Sequence, residues 1–415
     1  MQAAPRSDET RSGGRSVDAP VWSLAAAQTI IWAGVYYMFP AMLLRFETAT
    51  GWSKTELTAA FTLAIAVSAV ASPLAGRLID RGRGAALLAG CAAAGGLLVA
   101  ALALAESYWV FTLIWLLLGL VMAGGLYIPC FSMVTRARGA AARGAITRIT
   151  LIAGLAGTLS FPSAHWLSET IGWRETLVVF GAAVLLIAAP LAWFGARRLE
   201  REHAAHHGRR EEARSGPSAG ARRRLAGEPV FWLLAAAFAS LALVHGVAIN
   251  HLLPILDERG VAPALAVLTA SAIGPMQVAG RLLMLAVERR VSSRTITAAC
   301  FLALIGAMAA LLGAAASPLM LIPFAALLGA GAGVTSIMKP VITRDLLGEA
   351  DFGAVSGALG TAFLGAFALA PFAGSLLWTV GGYGFALSVL IGAGALGLAA
   401  FLFAARRASQ GAASG

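Results

Sequence analysis

The sequence predicts an all-α polytopic membrane protein, with twelve transmembrane helices in two pseudo-symmetric six-helix bundles. Three observations predict it. Of 415 residues, 59% are hydrophobic and only 12% charged, against roughly 25% charged in an ordinary soluble domain. Apolar runs of about 18 residues or more, each long enough to cross a bilayer as a helix, recur along a chain whose mean hydropathy is +0.80. The connections between the runs alternate between rich and poor in basic residues.

Apolar runs and their breakers place the spans near 21–45, 54–76, 85–105, 108–134, 145–167 and 174–196, then 229–255, 262–287, 294–315, 317–342, 353–377 and 381–404. The polar, Arg-containing stretch 1–20 lacks an apolar signal segment and a small-residue cleavage site. It reads as a cytoplasmic tail, with the first span acting as its own signal. The two bundles occupy 21–196 and 229–404, and 405–415 is a second tail. Between the bundles, "ARRLEREHAAHHGRREEARSGPSAGARRRLAGEP" is charged and contains Gly, Pro and Ser, so 197–228 reads as a cytoplasmic linker. His203, His206 and His207 read as part of that solvated, partly helical linker, with a metal site as the less favoured alternative.

The alternation of charge sets the orientation. The segments before residue 22, at 77–83, 136–148, 197–224 and 289–294, at 344 and at 406–407 hold 25 of the 31 Arg and Lys residues. The intervening connections hold only Arg45, Lys54, Arg174 and Arg259. This is the positive-inside bias, and it predicts a multi-pass protein of the cell inner (plasma) membrane with both termini cytoplasmic. The net charge of +11 therefore orients the chain, and no nucleic-acid partner is expected. Three cysteines, Cys91, Cys130 and Cys300, lie far apart in apolar segments and give neither a disulfide framework nor metal-ligand spacing.

The halves resemble each other. "GAITRITLIAGLAGTLSFPSAHWLSETIGW" (144–173) aligns without gaps on "GAVSGALGTAFLGAFALAPFAGSLLWTVGGY" (353–383). Gly144 falls on Gly353, Pro162 on Pro371 and Gly172 on Gly381; "AGRL" also occurs twice, at 75–78 and 279–282. Such similarity is what parallel repeats leave. Small residues crowd several spans, as in "LLGAGAG" (327–333), where they let helix backbones approach closely.

An ionisable group at the centre of a membrane helix costs at least about 2.5–3.5 kcal/mol, so such groups mark candidate sites. None of the 20 acidic residues falls mid-span, whereas Arg281 and Lys339 lie within apolar runs. His245, His251, Gln28, Tyr36, Tyr37, Tyr127, Asn250 and Gln277 complete the polar inventory of the spans. A cavity lined this way is electropositive or neutral and favours an anion. Arg281 either snorkels along its stem to the interface or faces the cavity and holds a carboxylate in a bidentate fork. Gln277, one turn earlier, shares its face. Lys339 either snorkels or supplies a second cation. His245 and His251 titrate in the useful range when unperturbed but point to different helix faces, so a hydrogen bond within the bundle suits each better than a paired relay.

At "GRLIDRGRG" (76–84) the sequence resembles the loop signature between spans two and three of the major facilitator superfamily. Gly76, Asp80 and Arg81 match it, although the following spacing is one residue short. The resemblance implies the superfamily's two-bundle fold and a role for Asp80 and Arg81 in holding the halves together on the cytoplasmic side; a charged loop that merely sets topology is the alternative. "GWSKTELTAAF", "AGRLIDRG" and "GPMQVAGRLL" look most like the bacterial monocarboxylate-porter and oxalate/formate-type branches. The resemblance implies secondary active transport of a small organic anion, with Arg281 in the place of the substrate-binding Arg of span eight. Gln277, Tyr36, Tyr127, Asn250, His245 and Lys339 are the further candidate binding residues. Animal-type monocarboxylate porters carry an Asp beside that Arg and a span-one Lys, and this chain has neither. Any coupled proton is then expected on the substrate's own acid group or on a histidine. The partners expected are a small anion, such a proton and the lipid bilayer. No cofactor, metal or catalytic residue is expected, and the chain is expected to act as a monomer. The alternative is a drug or toxic-compound exporter, against which "GLAGTLSFPSAHW" in span five lacks the exporters' Gly-Pro-x-x-Gly-Gly pattern.

Overall fold

The computed structural model describes residues 18–206, 227–348 and 352–413, and within them the regular structure is helical throughout. Numbered as spans in chain order, the long helices are span 1 (Ala19–Thr50), span 2 (Lys54–Asp80), span 3 (Gly84–Leu104), span 4 (Tyr108–Arg138), span 5 (Ala142–Thr170) and span 6 (Trp173–Ala205). Span 7 (Pro229–Asn250), span 8 (Pro263–Val287), span 9 (Ser293–Gly313) and span 10 (Pro318–Leu347) follow. The last helical stretch, Phe352–Ala413, is broken at Gly381 and Gly382, where the backbone leaves helical geometry. That break makes eleven continuous stretches into twelve spans, with span 11 at 352–380 and span 12 at 383–413.

The two glycine turns repeat. Gly172, with φ of 98°, separates spans 5 and 6, and Gly382, with φ of 69°, separates spans 11 and 12. Both occupy the left-handed region that side chains avoid; the positive φ in the second half falls on Gly382, one residue after Gly381, which aligns with Gly172.

Helix ends follow local chemistry. Span 2 opens on a capping box: the Ser53 hydroxyl accepts from the Glu56 amide at 3.2 Å, and the Glu56 carboxylate accepts from the Ser53 amide at 2.9 Å. Spans 7 and 8 open on Pro229 and Pro263, whose missing amide costs nothing in a first turn.

Helix continues into the charged ends. Residues 197–206, the start of the expected linker, extend span 6 as helix to His206. Arg138 there meets Glu202 at 3.2 Å, and the Arg136 Nε–H donates to His203 Nε2 at 3.1 Å. The chain after 404 also stays helical, to Ala413. Helix formation continues past the lipid because charged residues pair across neighbouring turns and helices. The His206 side chain and all of His207 lie outside the described residues.

Spans 1–6 pack among themselves and spans 7–12 do likewise. The halves meet along two lines, span 2 on span 11 and span 5 on span 8, and again where span 1 touches the short continuation of span 7, Leu252–Glu258.

Candidate functional site

A cavity of about 1520 Å³ lies between the halves and opens at the end that carries the basic connections. At its mouth stand Arg143, Glu288, Arg289 and Arg344. Deeper, its walls are Trp32, Tyr36 and Tyr37 of span 1, Tyr127 of span 4, Thr150 and Gly154 of span 5, and His245 of span 7, with Gln277 and Arg281 of span 8, Lys339 of span 10 and Phe363 and Phe367 of span 11. Among the described residues, Arg143, Arg281, Arg289, Lys339 and Arg344 are its basic lining residues and Glu288 its one acidic one. The cavity is electropositive.

Arg281 is brought here by close packing of spans 8 and 10. A Cβ on Gly333 would lie 2.9 Å from the Gln277 Cα, and one on Gly280 2.5 Å from the Ala330 Cα. The glycines let the two backbones touch, and that contact presents the Gly333 carbonyl to Arg281. The Arg281 Nε–H donates to the Gly333 carbonyl at 3.3 Å, and its Nη1 donates to the Thr150 carbonyl of span 5 at 3.3 Å. Both bonds are long for N–H···O contacts. Among the described residues no carboxylate pairs with the guanidinium and its Nη2 makes no hydrogen bond. A side chain placed this way faces the cavity and not lipid.

Span 1 supplies the aromatic wall through a local distortion. Trp32–Tyr37 is a π-helical turn, whose wider i→i+5 geometry brings Trp32, Tyr36 and Tyr37 onto one face. Ring centroids are 5.2 Å apart for Trp32 and Tyr36, 5.4 Å for Tyr36 and Tyr37, and 4.7 Å for Trp32 and Tyr127. Tyr36 stacks across the halves on Phe367 at 6.0 Å. Lys339 places its ammonium 3.3 Å from the Phe363 ring centre, an attraction of about 0.5–2 kcal/mol, so it too points inward.

Other expected residues fall elsewhere. Asn250 is fully buried behind the wall and not in the cavity; its Nδ2 donates to the Gly246 carbonyl at 2.8 Å and to the Tyr36 hydroxyl at 3.4 Å. It can position Tyr36 but cannot reach a solute. His251 bridges the Tyr383 hydroxyl at 2.9 Å and the Pro371 carbonyl at 2.7 Å, inside the C-terminal half. His245 lines the cavity, stacked on Phe367 at 6.2 Å, with Nδ1 buried and unpartnered. Asp80 meets Arg136 of its own half at 3.4 Å, while Arg81 is exposed and Gly76 has open space above it, so among the described residues this trio makes no bridge to the other half in this conformation.

At the opposite end the halves are joined. Thr58 Oγ1 donates to Ser375 Oγ at 2.9 Å, and the Phe372 amide donates to Thr62 Oγ1 at 3.2 Å. Lys54 lies 4.4 Å over the Trp378 ring and 3.0 Å from Glu47.

Two bundles of six spans around a central polar cavity, joined at one end, are the expected architecture of one transporter superfamily, and the family model for the Major Facilitator Superfamily matches residues 24–322. The chain belongs to the Major Facilitator Superfamily. Solved structures of a transporter homologue match it as well. A bacterial homologue of the human lysosomal transporter Spinster, crystallised in an inward-facing and occupied conformation, superposes with a TM-score of 0.64 at 15% identity, covering 93% of this chain and 96% of that one. The same homologue in an inward-facing and unoccupied conformation gives 0.61 at 16% identity, covering 95% and 96%. At such identities the likeness shows the fold. No curated protein matches the sequence.

Within this facilitator, the sequence pointed to the cations and tyrosines but missed Trp32, Phe363 and Phe367. Trp32 precedes Tyr36 by four residues, which was a usable signal. Phe363 and Phe367 share that spacing, but nothing in an apolar run distinguishes a cavity phenylalanine from a packing one.

Proposed function

We propose that this facilitator is a secondary active transporter that moves a small organic anion of the monocarboxylate type across the inner membrane by alternating access. The observation that carries the proposal is Arg281, a guanidinium without a carboxylate partner among the described residues, in a cavity with five basic side chains and one acidic. A permanent charge in that setting recognises a carboxylate by paired N–H···O bonds. Gln277, Tyr127 and Tyr37 offer further hydrogen bonds, and Lys339 and Tyr36 complete the wall. The charge bias puts the basic end and both termini in the cytoplasm. The cavity is then open inward, the state named for both crystal structures of the Spinster homologue. A coupled proton is carried by the substrate's own acid group or by His245. The protein acts as a monomer, and Asp80 and Arg81 act at the cytoplasmic closure of the opposite state.

One observation favours export of a drug or other toxic compound as the second reading: 1520 Å³ exceeds the roughly 300–1,000 Å³ of a drug-sized pocket. Uptake into proteoliposomes separates the readings. Labelled lactate, pyruvate, oxalate and phenylacetate are tested with wild type and Arg281→Gln, with and without an imposed proton gradient. Saturable uptake that disappears in a correctly folded Arg281→Gln protein is the expected result. Failure of every carboxylate would give first place to export.

A further inference from the structure

We infer that the cavity is built for an aromatic or similarly flat, apolar carboxylate, and that it discriminates against small aliphatic acids; the inference rests on the anion reading of Arg281. The first ground is spacing. A Cβ on Gly154 would lie 3.9 Å from Arg281 Nη1, and one on Gly157 would lie 3.5 Å from Tyr37 Cε1. The guanidinium and the Tyr37 ring therefore stand against span 5 at positions three residues apart, where the turn at Gly154-Leu155 interrupts the helix, about 5–6 Å between neighbouring turns. That is the order of the separation between carboxylate and ring in an aryl-substituted short-chain acid. Glycine at both positions lets the guanidinium and the Tyr37 ring come close to the backbone of span 5.

The second ground is the wall itself. Trp32 and Tyr127 lie 4.7 Å apart, Tyr127 stacks on Phe131 at 4.9 Å with planes 15° apart, and Tyr36 stacks on Phe367 at 6.0 Å. These rings face the electropositive space from both halves. A solute the size of lactate would satisfy Arg281 and leave this apolar surface in water, whereas a ring would cover it and stack. The third ground is an orphan donor. Trp32 Nε1 is buried without a hydrogen-bond partner, and a ligand acceptor beside the ring would satisfy it. His245 Nδ1, on the opposite half, is unpartnered in the same way.

Binding to the purified full-length protein in nanodiscs tests this by calorimetry, with acetate, lactate, phenylacetate, cyclohexylacetate and neutral phenylacetamide as probes. Phenylacetate is expected to bind about tenfold more tightly than lactate. Phenylacetamide should bind about tenfold or more weakly than phenylacetate, because it offers the ring without the charge. Tyr37→Leu should bring the phenylacetate-to-lactate ratio near one, and Tyr37→Phe, which keeps the ring, should retain it. A thermal melt of each variant confirms that it is folded. Equal affinities for lactate and phenylacetate, both lost in Arg281→Gln, would overturn the aromatic inference and leave the anion site standing. Phenylacetamide binding as tightly as phenylacetate, indifferent to Arg281→Gln, would overturn both.

Discussion

The two ends of the cavity are held by different chemistry. At the far end the halves touch through hydroxyls, an amide and a lysine over an indole: Thr58 with Ser375, Thr62 with the Phe372 amide, and Lys54 with Trp378. At the basic end the mouth residues Arg143, Arg289 and Arg344 would repel one another on approach. Of the hydrogen bonds described between the halves, the one from Arg281 to Thr150 lies nearest that end. The far-end contacts are individually weak, about 0.5–1.5 kcal/mol for a hydrogen bond and up to about 2 for the cation–π pair. A closure made of such parts can open again. Closing the basic end requires that its positive charge be met, which Glu288 and a bound anion at Arg281 can do.

The largest effect that would break this comparison is at Arg281. Arg281→Gln removes the charge and the bond to span 5, and should lower carboxylate uptake by about a hundredfold or more, in line with loss of a charge-assisted pair worth about 3 kcal/mol. Next comes Gly333→Leu. Its Cβ would lie 2.9 Å from the Gln277 Cα, and overpacking of about 1–3 kcal/mol or more should separate spans 8 and 10. The expected outcome is a lower melting temperature together with weakened binding. Smaller is Trp378→Leu, which removes the ring under Lys54 and the 2.7 Å donation from Nε1 to Glu258. It should raise accessibility of a cysteine at Ser375 to a membrane-impermeant thiol reagent by several-fold, the equivalent of about 1 kcal/mol.

The smallest effect lies in the charge cluster behind the basic end. Arg138 meets Asp18 at 2.5 Å and Arg148 meets it at 3.1 Å, and the hydrogen bond from Arg138 holds the Asp18 carboxyl below its ordinary pKa. A carboxylate depressed in the folded state stabilises fully above its unfolded pKa of about 3.9 and loses that contribution as pH falls through its lower folded value. Asp18→Asn should therefore melt slightly below wild type at pH 7, with the difference vanishing only in strong acid. An unchanged difference at pH 2 would mean that packing, not charge, is what Asp18 supplies.

Much of this was legible from residues alone. Run length and the alternation of arginines place most span boundaries within a few residues, because crossing lipid demands a fixed length of apolar helix. Apolar counting ends near 196 and 404, whereas the helices of spans 6 and 12 run on to His206 and Ala413. Arg281 and Lys339 stood out because charge inside an apolar run is costly. Which way they face was not legible, since snorkelling and cavity-facing arginines have the same sequence. The wall of span 1 was only partly readable: an α-helical wheel does not put Trp32, Tyr36 and Tyr37 on one face, and the π turn that does so has no sequence rule of its own. Asn250 was misplaced for a similar reason, because a polar residue in a span can serve a neighbour's hydroxyl as well as a solute.

The most direct test of the central claim, an anion-responsive cavity open at one end and sealed at the other, is a pair of spin-label distances in proteoliposomes. One pair spans the basic mouth, at Thr147→Cys and Leu285→Cys; the other spans the far end, at Thr55→Cys and Thr379→Cys. Without ligand the basic-end pair should be long and the far-end pair short. Adding a transported carboxylate should populate a second state in which the first distance shortens as the second lengthens, and Arg281→Gln should abolish that response. Distances that stay fixed with ligand, or that move identically in Arg281→Gln, would contradict the account.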